Sequence, residues 1–335
     1  MATIRDVARS AGVGVATVSR VLNDSPKVSR ETRAAVLAVI AELGFVPNAS
    51  ARNLVRGRTN TIGVVVPFLT RPGVVERVRG IEAVVAATGG SMVMYNVESV
   101  GRRESLLRNL PEQGHDGLII VSLPLPPDAA RRLLELGPPT VLLDTHHRSF
   151  SRVVSNDIVG GRLAADHLID LGHRRVGFVG DEPRSRLGFS SSRMRCTGIR
   201  LALIERGLAW DPTLVGFGEH GQGPAAELAT ILLRLPRPPS AIVAASDTQA
   251  IGVMSAARAM GIAVPDELSV IGYDDIELAA PLGLSTVRQG LTETGRLAVD
   301  LLRQISDDGL ARPIRVEAPL ELIARSSTAI APPGR

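Results

Sequence analysis

Ala11-Gly12-Val13-Gly14-Val15-Ala16-Thr17-Val18-Ser19-Arg20-Val21-Leu22 holds a tight turn followed by a short amphipathic helix, and it fixes the character of the N-terminal segment. Gly12 supplies the turn, since glycine takes up positive φ at no steric cost. After Gly14, Val18, Val21 and Leu22 fall on one helical face, while Val15, Ala16, Ser19 and Arg20 share the opposite one. Upstream, Thr3 and Asp6 have the spacing of a capping box with Asp in place of Glu or Gln. Ile4, Val7, Ala8 and Ala11 then make the apolar side of a first helix over about residues 4–11. Downstream, Asn23-Asp24-Ser25-Pro26 reads as a loop and Ser29 as an N-cap, and Val36, Ile40 and Leu43 form the expected buried stripe of a third helix ending at Gly44. Three helices with a tight turn between the first two predict a helix-turn-helix module.

Charge singles out the same segment. Residues 1–60 carry nine basic side chains (Arg5, Arg9, Arg20, Lys27, Arg30, Arg33, Arg52, Arg56, Arg58) against four acids (Asp6, Asp24, Glu31, Glu42), a balance of +5. The whole chain is +4, so the remainder is −1. A small basic module on a near-neutral body suits a polyphosphate, because each neutralised phosphate releases counterions. A solvated arginine-rich surface is the alternative that charge alone leaves open. In a helix-turn-helix the N-terminal part of the second helix enters the major groove. There Arg20 suits a bidentate contact to a guanine edge, Val15 and Ala16 offer apolar surface to thymine methyls, and Thr17, Ser19 and Ser29 suit phosphates.

Together with Asn48-Ala49-Ser50-Ala51-Arg52-Asn53-Leu54, the run from Ala11 to Asn23 resembles the LacI/GalR family of bacterial transcriptional repressors, and the resemblance extends through nearly the whole chain. Gly14 departs from the Ser usual in the family, though glycine is also an acceptable N-cap. The resemblance implies that Val15, Ala16 and Arg20 choose the operator, here a pseudo-palindrome with TGTAA-like half-sites and a central CG step. Candidate DNA-contacting residues are Thr3, Val15, Ala16, Thr17, Ser19, Arg20, Asn23, Ser29, Ala51, Arg52, Leu54 and Arg56. Residues 1–46 are then the DNA-binding domain and 47–60 a hinge.

Pro47 closes the helical module, Asn48 suits a cap, and 49–56 is compatible with a helix that Gly57 stops. Isolated helices under about 12–15 residues are marginal in water, so this hinge is expected to order only with a partner. The resemblance implies that two such segments pair in the minor groove, with Leu54 wedged between central bases and Arg52 and Arg56 on phosphates. Packing of Leu54 on the body is the other reading. A palindromic site and a hinge that needs a partner both imply a homodimer, and residues 326–335 lack the heptads of a coiled-coil tetramer.

From Thr61 the chain alternates short apolar strands with helices, the signature of parallel α/β sheets. The strands read as 62–66, 92–95, 117–121, 141–144, 153–155, 176–180, 241–245 and 270–273. Most end in small or polar residues, among them Pro67, Asp144, Asn156, Ser246 and Asp274, at the carboxyl edge where open α/β sheets bind ligands. The expected fold is an N-terminal all-α helix-turn-helix domain plus a two-lobed α/β domain over 61–330, with parallel sheets and helices on both faces, and the resemblance implies that this domain is periplasmic-binding-protein-like. By resemblance the N-lobe takes about 61–157 and 289–317 and the C-lobe about 158–286 and 318–330.

The resemblance places a small-molecule effector between the lobes. Arg195 and Asp274 match its contact positions, Asp144, Ser246, Asp247 and Gln289 fall at or beside others, and Arg71 and Ser191 complete the candidate set. A carboxylate and a guanidinium both bind vicinal hydroxyls through charge-assisted hydrogen bonds, which favours a sugar or sugar derivative. Arg71 with Arg195 suits an anionic metabolite instead. Asp247 reads equally as the cap of a helix starting at Thr248, and Asp274 as the partner of an arginine across the hinge. The Ser- and Arg-rich loop 181–193 reads either as closing over the ligand or as solvated surface.

Other classes fit less well. Gly216-Phe217-Gly218-Glu219-His220-Gly221 has the letters of a dinucleotide fingerprint, but no good strand is expected before it and Gln222-Gly223-Pro224 is expected to interrupt the following helix. His146-His147 lacks the spacing of metal ligands on one helix, and there is no G-x-S-x-G elbow. Cys196, the single cysteine, excludes an internal disulfide and a multi-cysteine metal site. No apolar run approaches the ~20 residues of a membrane span and Met1-Ala2-Thr3-Ile4-Arg5-Asp6 lacks a signal-peptide core, so a cytoplasmic protein without cofactor, metal, membrane partner or enzymatic activity is expected. A sugar-binding protein or enzyme with an incidental basic N-terminus is the rival reading.

Overall fold

The computed structural model describes residues 2–22, 25–45, 59–183, 185–309 and 312–332. The chain divides into two compact units, residues 1–59 and 60–335.

In the first unit three helices form as the residues dictate: α1 (Ile4–Ser10), α2 (Val15–Leu22) and α3 (Arg30–Glu42). Thr3 and Asp6 form the full reciprocal capping box at α1, and the Ser29 hydroxyl accepts the Thr32 amide at α3. Gly12 has φ +64 in the turn, and the Gly14 carbonyl accepts the first amides of α2. Val7, Ala8, Val18, Val21 and Val36 are buried together, with Ile4, Leu22, Val39 and Ile40 against them. The stripe on α3 is therefore 36, 39 and 40. Leu43, expected in it, is 37% exposed, because the last turn of α3 runs past the small core and Phe45 takes the contact instead. Asn23 and the hinge residues 47–58, with Ala51, Arg52, Leu54 and Arg56, lie outside the described residues.

The second unit contains two sheets of one design. The first comprises β1 (Thr61–Pro67), β2 (Ser91–Val97), β3 (Gly117–Val121), β4 (Thr140–Leu143), β5 (Ser151–Val154) and β11 (Arg315–Glu317), in the order β11-β5-β4-β3-β1-β2. The second comprises β6 (Val176–Asp181), β7 (Val215–Gly218), β8 (Ala241–Ala244), β9 (Ser269–Asp274), β10 (Ser285–Arg288) and β12 (Glu321–Ile323), in the order β12-β10-β9-β8-β6-β7. Every pairing is parallel except β10 with β12. The first lobe adds α4 (Pro72–Ala87), α5 (Val100–Asn109), α6 (Pro127–Leu136) and α11 (Leu291–Asp308). The second adds α7 (Asp157–Asp170), α8 (Ser191–Glu205), α9 (Gln222–Leu233) and α10 (Asp247–Ala259). The chain passes between lobes after β5, after β10 and between β11 and β12, and each sheet is covered by apolar clusters on both faces.

Glycines set the closest helix contacts. A Cβ on Gly80 of α4 would lie 1.9 Å from the Thr292 carbonyl of α11, and one on Gly198 of α8 would lie 2.1 Å from the Ile158 carbonyl of α7. The same arrangement thus recurs in both lobes. The Gly216 stretch needs correction: 215–218 is a strand and α9 begins at Gln222, because Pro224 in the first turn of a helix costs no hydrogen bond. Gly216 and Gly218 make room for Leu228 of α9.

Candidate functional site

On the first unit, α2 presents Val15, Ala16 and Arg20 as an exposed face, with Thr17 and Ser19 half-buried beside them. Val15 is 42% exposed, an apolar side chain left in water while the other valines among the described residues of the unit are buried or half-buried. The Thr3 and Ser29 hydroxyls are engaged as caps, Thr3 donating to Asp6 and Ser29 to Thr32. Their candidate role in DNA contact would have to be shared with that task.

In the second unit, Arg71, Asp144, Ser191, Arg195, Ser246, Asp274 and Gln289 line one cavity of about 110 Å³ at the carboxyl edges of both sheets. Asp247 does not line it. Its carboxylate lies beneath the strand ends, fully buried against Gly272, where it accepts the Ile276 amide at 2.9 Å and the Thr286 hydroxyl at 2.6 Å. Burial, and then neighbouring Asp274, push the Asp247 carboxyl up to about 8. Ser246, not Asp247, caps α10, through the Gln249 amide. Asp247 therefore supports the site from below.

The lining is a continuous chain of hydrogen bonds and ion pairs. Ser122 donates to Asp144 at 2.9 Å, and Asp144 pairs with Arg77 at 3.2 Å. Arg77 donates to the Gln289 side-chain oxygen at 3.3 Å, and the Gln289 amide donates to Asp274 at 2.5 Å. Asp274 lies 3.8 Å from Arg195, which donates at 2.8 Å to Asp157 and at 2.5 Å to the Ala245 carbonyl, with its guanidinium 3.6 Å over the Tyr273 ring. Burial works against the Arg195 charge, but Asp157 foremost and then Tyr273 and Asp274 hold its pKa above the ordinary value. Burial dominates at Asp274 and raises its carboxyl despite Arg195 and Arg77.

Backbone strain gathers at the same place. Phe68, Ser122, Asp144, Asp274 and Asp275 all have positive φ and follow or end strands facing the cleft. Such residues persist where the surroundings over-determine them, as functional sites do. Arg77, Ser122 and His220 also line the cavity without having been singled out from sequence, and Asp181 and Phe189 line it from the loop 181–193, which the sequence leaves open as cover or solvated surface. Asp181 was detectable, because it ends β6 at the carboxyl edge as Asp274 ends β9. The Asp181 carboxylate accepts from His220 Nδ1 at 3.0 Å and from the Gln249 side-chain amide at 3.1 Å. Burial raises the Asp181 carboxyl, but His220, Arg71 and Arg195 outweigh it and leave the pKa below its usual value.

A helical DNA-reading module joined to a two-lobed domain with a polar cleft defines a ligand-responsive DNA-binding regulator. Residues 3–48 match the model of bacterial regulatory proteins of the lacI family, and 165–328 match a periplasmic binding protein-like domain. The chain is 35% identical to the ribose operon repressor of Escherichia coli (strain K12), over 90% of this chain and 92% of that one. It is 32% identical to the HTH-type transcriptional repressor PurR of Photobacterium profundum, over 98% of both. A lac repressor dimer bound to operator and the anti-inducer ONPF superposes with TM-score 0.87 at 28% identity, covering 98% of this chain and 99% of that one. The chain belongs to the LacI family, whose members are ligand-responsive DNA-binding repressors. Among the described residues no helix is long and apolar enough to cross a membrane.

Proposed function

We propose that the protein works as a homodimer on a pseudo-palindromic operator, with α2 in the major groove and the hinge in the minor groove, and that a sugar or sugar derivative in the cleft controls it. Arg20 reads a guanine edge while Val15 and Ala16 meet thymine methyls. Leu54 wedges the central step, with Ala51, Arg52 and Arg56 beside it on the backbone. The observation that carries the ligand class is the chain Asp144, Arg77, Gln289, Asp274, Arg195, which spans both lobes and holds carboxylates and guanidiniums at the cavity wall. Such groups bind vicinal hydroxyls by charge-assisted hydrogen bonds. A ribose operon repressor among the relatives and a ribose-bound LacI-family structure among the neighbours support a sugar over other polar metabolites.

The candidate contacts are Arg71, Asp144, Ser191, Arg195, Ser246, Asp274 and Gln289, without Asp247. A ligand that prefers one lobe arrangement changes how the two hinges emerge, within the limit of its differential affinity for the two states. Selection of bound duplexes from a random DNA pool by the ligand-free protein tests the reading. A palindrome with a central CG step is expected, and absence of any enriched site, also with a sugar panel added, would overturn it. On that operator, Asp274→Ala should retain binding and lose release by ligand.

A further inference from the structure

The two lobes repeat one design, but one connection does not repeat. Between β1 and α4 the N-lobe uses four residues, 68–71, whereas between the equivalent β6 and α8 the C-lobe uses nine, 182–190. The extra length crosses to the other lobe. Leu187 is 4% exposed and sits in a core cluster whose other members, Val65, Val97, Leu106 and Leu118 among them, all belong to the N-lobe. Arg103 of α5 donates to the Leu187 carbonyl at 3.1 Å, and Gly188 lies against Pro124. Phe189 meets Phe68 at 6.2 Å between ring centroids, and the Arg71 guanidinium stands 4.1 Å from the Phe68 centroid and 5.8 Å from that of Phe189.

This segment runs over the mouth of the cleft. Phe189 and Arg71 line both the inner cavity and an adjoining outer one of about 830 Å³. A molecule that reaches Asp144 and Asp274 through the outer cavity passes them on the way. A hydrophobic anchor carried by one lobe and buried in the other makes lobe separation cost the exposure of that anchor, which is the behaviour of a latch.

The geometry points to residues 185–190 as a strap that latches the lobes, with Leu187 as its anchor and Phe189 as the wall between the outer and inner cavities. Opening of the cleft requires Leu187 to leave the N-lobe core. Leu187 is a positioning residue: it does not line the inner cavity, and it acts by holding Phe189 over it. The strap controls entry to the effector site proposed above and rests on that reading only for its consequence, since its geometry is independent of any ligand.

A disulfide tests it on the ligand-free full-length protein. A Cβ on Gly188 would lie 3.9 Å from the Pro124 Cβ, within the usual disulfide span. Gly188 has φ +83, so a cysteine there is strained before oxidation. Native Cys196 is buried with its thiol pushed up to about 11, which keeps it unreactive. In Pro124→Cys/Gly188→Cys, copper–phenanthroline should form the bond, located by peptide mass spectrometry, and dithiothreitol should reverse it. Hydrogen exchange in peptides spanning 245–249 and 274–276 should slow about tenfold on oxidation. Without cysteines, Leu187→Ser should speed exchange in those peptides about tenfold while Leu187→Met leaves it unchanged, a second arm that stands if the cysteine pair fails to fold. No cross-link between two reactive thiols, or cleft-floor exchange indifferent both to the lock and to Leu187→Ser, overturns the latch. Failure of every sugar to bind overturns the ligand class and leaves these readings untouched.

Discussion

Arg77 and Arg195 hold the same station in the two lobes. Each stands in the helix that follows the first strand of its sheet, three residues before a glycine that admits a neighbouring helix. Each faces an aspartate with positive φ at the end of the equivalent strand, Asp144 after β4 and Asp274 on β9. The cleft is thus lined by two copies of one guanidinium–carboxylate pair, brought face to face where the lobes meet. Gln289, at the crossover after β10, joins them by donating to Asp274 and accepting from Arg77.

That bridge has a measurable worth. Gln289 is 1% exposed, so Gln289→Met leaves a buried Arg77 donor and an Asp274 acceptor short of one protein partner each. The cost of an unsatisfied buried polar group is roughly 1–3 kcal/mol, and more for charged ones. The urea midpoint of the variant should fall by the equivalent of about that amount, with an unchanged helical spectrum. A midpoint equal to that of the parent would mean that the bridge contributes nothing to holding the lobes.

Stability should also depend on pH through Asp247. Its folded carboxyl titrates near 8 against an ordinary 3.8, so between those values the native protein keeps a proton that the unfolded chain has lost. The Asp247 contribution to stability therefore falls as pH rises from about 4 to about 8, because the native carboxyl binds more protons there. His115, His167 and His173, held below their ordinary 6.5 by burial, act in the opposite direction in the lower part of that range. Asp274, raised by burial, adds in the same direction as Asp247. Asp247→Asn keeps an acceptor for the Ile276 amide and cannot ionise, so its urea midpoint should vary less across that range. An Asp247→Asn midpoint that follows the same pH dependence as the parent's would contradict the assignment.

What the sequence disclosed follows the range of the forces involved. The caps at Thr3 and Ser29, the Gly12 turn and the Val18–Val21 face depend on residues within one or two turns, and they stand where the pattern put them. The apolar strands from β1 to β6, with β8 and β9, were legible as β-branched runs. Strands β7, β10, β11 and β12 were not, being short and glycine-rich or charged, and held as strands by partners distant in sequence. The residues that matched family positions line one cavity, except Asp247: a match in sequence does not say on which side of a strand end a carboxylate lies, and Asp247 lies beneath. Phe189 and Leu187 lie in the loop 181–193, whose composition leaves cover and solvated surface equally open, and their contacts are not legible locally, since their partners belong to the other lobe. The repeat Arg77-Val78-Arg79-Gly80-Ile81 and Arg195-Cys196-Thr197-Gly198-Ile199 is too short to recognise before the sheets are superposed.

The turn of the DNA-binding unit separates two glycines by their constraints. Gly12 has φ +64, whereas Gly14 has no unusual φ, and a Cβ would meet nothing within 4 Å at either. Gly12→Ala should therefore cost about 1–2 kcal/mol from backbone strain alone. Gly14→Ser adds a side-chain acceptor at an N-cap and should stabilise by a few tenths of a kcal/mol. Thermal unfolding of a fragment spanning the first unit, or hydrogen exchange of its amides in the whole protein, should order the variants Gly14→Ser, parent, Gly12→Ala.

Arg20 is exposed on α2, on the same face as Val15 and Ala16, and carries no ion pair among the described residues. Its charge attracts phosphates wherever it stands, so the reading of a base must be separated from that general pull. Arg20→Ala removes both effects, whereas Arg20→Lys keeps the charge and loses the bidentate fork. If Arg20 reads a guanine through N7 and O6, both variants should lose about 1–3 kcal/mol of discrimination at one position of each half-site. Only Arg20→Ala should also bind unrelated duplexes more weakly and show a shallower salt dependence. Competition binding against operators substituted at each position, repeated at two salt concentrations, distinguishes the cases. Full discrimination retained by Arg20→Lys would reassign Arg20 to the backbone and leave Val15 and Ala16 as the readers of sequence.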